Sequence, residues 1–173
     1  RIVGIVQEAL NGQFRLVRCD LGKGKGPLNN IVGPDGAKMD PKALFPGVDW
    51  ESPRCLTDDR ECTEYLAWYY RTLQAHLTEK GWLDRITFCV ADEAHGEMVG
   101  WSLECSRYVH EVAPGLRLDE TVGSDEALPM LNEEHLHLYM VNTCSMHGQG
   151  LEKSAVERVP PPREIWGCNN LRN

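Results

Sequence analysis

The chain has 173 residues and a formal net charge of −8, with 42% hydrophobic and 25% charged residues, the composition of a folded protein with a real core. That acidity disfavours phosphate backbones and anionic membrane surfaces as partners and leaves neutral ligands open. No apolar run reaches the length of a membrane span.

The first two strand-like runs, residues 2–6 and 14–17, flank an Asn11-Gly12 turn. Residues 20–54 are rich in Gly, Pro, Asp and Lys and read as a long loop. A helix is expected over 58–80. Thr57 and Asp58 offer caps, and Glu61 stands in the first turn. Cys62, Tyr65, Leu66, Tyr69, Leu73, His76 and Leu77 recur at helical spacing, and Gly81 supplies a stop. Residues 85–91 then read as a strand ending in Asp92-Glu93. A second helix is expected over about 101–112, with Trp101, Cys105, Tyr108, Val109 and Val112 on one face, stopped by Pro114-Gly115. Strands follow over 116–122, 135–142 and 164–168. Between them lie a short helix or turn at 125–133 and a loop at 143–162 with a helical turn near 151–158.

Helices alternating with short strands imply parallel strands joined by crossovers. Both a (β/α) barrel and a doubly wound sheet give that alternation. A complete (β/α)₈ barrel takes roughly 250 residues, and this chain starts at Arg1, so it reads as a piece of a longer protein. Seven cysteines are present and no two stand as Cys-x-x-Cys, which argues against a zinc ribbon or a thioredoxin-type centre. Cys89, in a strand pattern, and Cys105, in a helical one, read as buried thiols.

Active sites of parallel α/β folds form at the carboxyl ends of strands, where Asp92 and Glu93 stand. Along the strand, Glu93 shares parity with Thr87, Cys89 and Ala91. Asp92 shares it with Ile86, Phe88 and Val90, the larger apolar set expected to pack on helices. Both carboxylates reach one pocket only if the strand breaks there. Two close acids push their pKa values apart, leaving one protonated near neutrality, as glycoside hydrolysis requires. On spacing alone, a capping pair solvated at a strand–loop junction is the favoured reading.

The run His76-Leu-Thr-Glu-Lys-Gly-Trp-Leu-Asp-Arg85, then Ile86–Val90 and Ala91-Asp92-Glu93, resembles glycoside hydrolase family 123 and its uncharacterised relatives. Ala113-Pro114-Gly115-Leu116 resembles that family's step into the next strand. Arg163-Glu-Ile-Trp166-Gly-Cys168 resembles its tryptophan-bearing strand near the end of the barrel. The likeness covers about residues 58–168 and is most specific over 76–93. It implies an α/β fold, part of a (β/α)₈ TIM-type barrel. Residues 1–57 would lead into the barrel, and 58–173 would supply the central and C-terminal βα units of an incomplete catalytic barrel. It also implies retaining hydrolysis of a β-linked N-acetylgalactosamine in which the substrate's own acetamido oxygen attacks the anomeric carbon. On that resemblance Asp92 would orient the acetamido group, and Glu93 would be the general acid and then the base. Neither a metal nor an organic cofactor is implied. Relatives often have Pro after the acidic pair, where this chain has Ala94, and no second aromatic follows Trp166.

For a carbohydrate substrate, Trp166, Asn142, Tyr139, Trp101 and His95 are the expected further contacts, because aromatic faces stack on sugar rings and amides bond hydroxyls. Asn142 and Trp166 rank first, being near carboxyl ends of strands. Asp92-Glu93-Ala94-His95 also spells the motif of DEAH-box helicases, but Gly22-Lys-Gly-Lys-Gly26 lacks the spacing of a phosphate loop. Asp92, Glu93, His95 and Glu97 read more simply as loop residues than as metal ligands. His135 and His137 open their strand, so they belong at the end opposite Glu93 and are expected to be packing or surface histidines. A non-catalytic carbohydrate-binding or structural barrel is the alternative to an enzyme.

Overall fold

The computed structural model describes residues 17–20, 28, 31–52, 56–90, 94–142, 159 and 163–168. The expected strand at 2–6 and the helical turn at 151–158 lie outside them. Five strands form one sheet: β1 (Val17–Asp20), β2 (Ile86–Cys89), β3 (Arg117–Val122), β4 (Leu136–Asn142) and β5 (Glu164–Cys168). All four pairings are parallel, and the strands stand side by side in chain order. The described strands therefore contain no point at which the order reverses, the feature that defines a doubly wound sheet. The fold is mixed α/β, a parallel sheet with helices. No helix among the described residues is long and apolar enough to cross a membrane.

Two short elements lie in the region expected to be loop. Helix α1 (Pro41–Leu44) is capped by the Asp40 side chain, which accepts from Lys42 N–H, and Val32 bridges to Lys38. Phe45 and Val48, just beyond α1, join the same core as the sheet. The first described strand of the sheet is β1 at Val17–Asp20, with Val17 paired with Ile86; of the strand expected at 14–17, only Val17 lies within the described residues.

Helix α2 (Arg60–Lys80) forms where its periodicity places it. Its cap is Asp59, one residue after the expected pair; the carboxylate accepts from Cys62 N–H at 2.8 Å. Gly81 closes the other end at φ 66°. There Gly81 N–H reaches Thr78 O and Trp82 N–H reaches Leu77 O, a left-handed cap that most L residues resist. The chain then turns through a 3₁₀ segment (Leu83–Arg85) into β2.

Helix α3 (Glu97–Val112) begins four residues before the expected 101. Gly96, at φ 54° and ψ −133°, occupies backbone space that essentially only glycine enters, and the helix starts directly behind it. The buried face of α3 is Val99, Ser102, Cys105, Ser106 and Val109.

The two faces of the sheet differ. One carries Ile86, Phe88, Leu118 and Val122, packed into the core with Leu66, Tyr70, Cys105 and Val109 of the helices. On this face the Ser102 hydroxyl of α3 donates to Glu120 of β3 at 2.7 Å. The other face carries Thr87, Cys89, Asp119 and Thr121, also buried but smaller and more polar. Cys62, Cys89 and Cys105 are buried thiols, as their sequence context suggests.

Between β3 and β4 the register slips: Leu118 pairs with Leu136, but Asp119 pairs with Leu138. His137 is the extra residue, and its Nδ1 accepts from Leu118 N–H at 3.4 Å, covering a donor that the bulge takes out of the ladder. Beyond the bulge, Tyr139 is in register with Glu120. Its hydroxyl lies 3.1 Å from both Met130 O and Glu133 O, tying β4 to the 3₁₀ segment Asp125–Asn132. Arg163 Nη1 bonds Leu131 O and Glu133 O and approaches the same hydroxyl at 3.3 Å.

Replacing Tyr139 by Phe should therefore destabilise the protein by about 0.5–1.5 kcal/mol, the net worth of one hydrogen bond, since Met130 O and Glu133 O keep the donors Glu133 N–H and Leu136 N–H. Chemical denaturation read by circular dichroism measures the shift, and an unchanged midpoint would contradict the role given to the hydroxyl.

Candidate active site

The carboxyl end of β2 is the place to look. Asp92 and Glu93 follow it in the chain and lie outside the described residues, but their flanks are fixed. Val90 is buried on one side and Ala94 on the other, both only 1% exposed. His95 is exposed, and its carbonyl accepts from Met98 N–H at 3.0 Å to open α3. Gly96 follows, and its N–H donates to Glu126 Oε2 at 2.7 Å. Glu126 belongs to the segment after β3. The connection that carries the acidic pair is thus tied to the next connection along the sheet.

Asn142 is the last residue of β4 and pairs with Cys168, the last of β5; Trp166 pairs with Met140. These backbone positions stand toward the same end of the parallel sheet as the exit of β2. Trp101 is half-buried on the second turn of α3, in the helix layer. Tyr139 corrects an expectation. It is fully buried, with its hydroxyl against Met130 O and Glu133 O, so it packs the core and presents nothing to a sugar.

Sequence reasoning missed Asp119 and Glu120. Both are completely buried in β3. The signal was available: two consecutive acids inside an apolar strand, Leu118-Asp-Glu-Thr-Val122, where burial of a carboxylate is costly without donors. Glu120 is bonded by Ser102. Asp119 falls on the face shared with Thr87, Cys89 and Thr121, in register with Cys89. Among the described residues no group of His, Cys, Asp and Glu is arranged to hold a metal ion.

The histidines lie at the amino end of the strands, away from the carboxyl end of β2. His135 Nε2 is 2.9 Å from Ser106 Oγ, and its Nδ1 is 3.5 Å from Glu133 Oε2. Its ring tilts against His110 at 5.6 Å, while Glu133 is also paired with Arg107. Although these groups resemble a Ser-His-carboxylate relay, Ser106 is fully buried and also bonds Leu103 O at 3.0 Å, so no substrate reaches it. Burial pushes His135 below the usual histidine pKa, with His110, Arg107 and His137 adding to the effect and Glu133 opposing it. His137 is lowered chiefly by burial, then by Arg117 and His110.

No protein-family model matches the chain, and no curated protein matches it.

The lowered pKa values of His135 and His137 make folding depend on pH. An unfolded chain takes up their protons near pH 6.5, the unperturbed value, whereas the folded chain does so only at lower pH. Stability should therefore be fully present above pH 6.5 and decline as the pH falls from there toward the depressed native values. Urea unfolding across this range measures the slope, which should flatten in the double variant His135→Gln, His137→Gln. Equal slopes in both proteins would remove the histidines as its source.

Proposed function

We propose that the chain is part of a (β/α)₈-type barrel of a glycoside hydrolase that cleaves a β-linked N-acetylhexosamine by a substrate-assisted, retaining route. The observation that carries this reading is the parallel sheet whose strands follow chain order, with Asp92-Glu93 following shortly after β2 in the sequence. Such an order suits a barrel, in which each strand neighbours the next, and active sites of these folds lie at the carboxyl ends of strands. The buried polar face of Thr87, Asp119 and Thr121 suits the inside of a barrel better than a helix-covered side. The resemblance over residues 76–93 to glycoside hydrolase family 123 supplies the chemistry.

In this reading Glu93 shares parity with Thr87 and Cys89, and so with the polar face. Glu93 protonates the departing glycosidic oxygen, while Asp92 orients the acetamido group and balances the positive charge that develops on the oxazolinium-like intermediate. Glu93 then deprotonates the attacking water. Asn142 and Trp166 furnish contacts to the sugar from β4 and β5, and His95 stands beside the pair. No cofactor takes part in these steps. A helicase-type use of Asp92-Glu93-Ala94-His95 fits less well, since the chain lacks a phosphate loop of the required spacing.

In the complete protein, Glu93→Gln should lower turnover of an aryl N-acetyl-β-galactosaminide by about 10²–10⁴-fold, the usual worth of a general acid–base group. Asp92→Asn should fall similarly, and product stereochemistry followed by NMR should show retention. Full activity in Glu93→Gln would end the proposal. Binding of the sugar in calorimetry with no hydrolysis by the wild type would instead identify a non-catalytic carbohydrate-binding barrel.

A further inference from the structure

We infer that Glu126 is a positioning residue for the acidic pair, acting from the neighbouring connection; the inference rests on the glycosidase reading above. The contact between Glu126 Oε2 and Gly96 N–H is 2.7 Å long and joins residues 30 apart in sequence. Gly96 is the third residue after Glu93 and the one that starts α3. The first bonds of the helix, Met98 N–H to His95 O and Val99 N–H to Gly96 O, spring from this point. No side chain of its own connection caps the helix. Glu126 supplies a carboxylate there instead, where the aligned peptide dipoles of a 16-residue helix favour negative charge.

Two further features separate this contact from ordinary surface bonding. Gly96 sits at φ 54° and ψ −133°, a conformation that a fixed external acceptor helps to hold against the alternatives open to glycine. Glu126 is exposed and takes no part in the core, so it can be removed without opening a cavity. Its own backbone is restrained by the bond from Ala127 N–H to Ser124 O, immediately after β3. The carboxylate thus ties the connection after β3 to Gly96, the third residue after Glu93 in the chain. A general acid displaced by about an ångström loses rate steeply, because proton transfer needs close alignment.

The experiment uses the complete protein and three variants, Glu126→Ala, Glu126→Gln and Glu93→Gln. Amide hydrogen exchange at residues 94–98 should quicken in Glu126→Ala and stay near wild type in Glu126→Gln, which keeps an acceptor for Gly96. This arm needs no activity, so it stands even if the glycosidase reading fails, a failure that an inactive wild type or an active Glu93→Gln would reveal. In the kinetic arm, Glu126→Ala should lower kcat by about 10- to 10²-fold on aryl substrates with poor leaving groups. It should act much less on those with good leaving groups, which need little protonation, and Glu126→Gln should restore most of the rate. Unchanged exchange in Glu126→Ala overturns the inference, and so does a rate loss that is equal for good and poor leaving groups.

Discussion

The hydrogen bond from Ser102 to Glu120 fixes how the helix layer meets the sheet. A carboxylate buried in the middle of a parallel strand needs donors within reach, and the cost of leaving one unmet is several times that of an ordinary lost contact. By bonding Ser102, Glu120 sets the rotation of α3 about its axis. Once that is set, Val99, Cys105 and Val109 face the core, Ser106 faces His135, and the amino end of the helix arrives beside Glu126. The apolar contacts around this bond contribute more to stability in sum, but they are non-directional, and none of them specifies an angle.

The same bond explains what sequence reading could and could not find. Helix α2 was legible because its signals are local: apolar residues at helical spacing, an acidic first turn and a glycine stop. The alternation of helices and strands from residue 58 onward was legible for the same reason, and so was the separation of the histidines from the carboxyl end of β2. Helix α3 was read four residues short, since its first turn depends on a glycine conformation and a carboxylate from another connection. The burial of Ser102 and Ser106 has no local sign, because their partners, Glu120 and His135, lie 18 and 29 residues further along the chain.

Tyr139 illustrates the limit more sharply. An aromatic residue late in a strand of an α/β protein is a fair candidate for touching a sugar. Which side it faces depends on strand parity, and parity in β4 is altered by the bulge at His137. Nothing in the local sequence announces that bulge. The acidic pair was legible in type and in chain position, because two acids that close an apolar strand are conspicuous. What surrounds the end of β2 was not legible: Asp119 and the Glu126 contact required the register of the sheet.

The bulge also restricts how β4 can change over evolutionary time. Because β4 spends one more residue than β3 between two successive pairings, an in-frame loss of the codon for position 137 would leave a regular ladder, with Leu136 and Leu138 still opposite Leu118 and Asp119. A length change after the bulge would instead shift every later pairing by one residue, taking Tyr139 out of register with Glu120 and away from the carbonyls of Met130 and Glu133. Substitution or loss of residue 137 forfeits one acceptor, but a length change past it reverses the rest of the strand, so the bulge is the one point of β4 where length can drift.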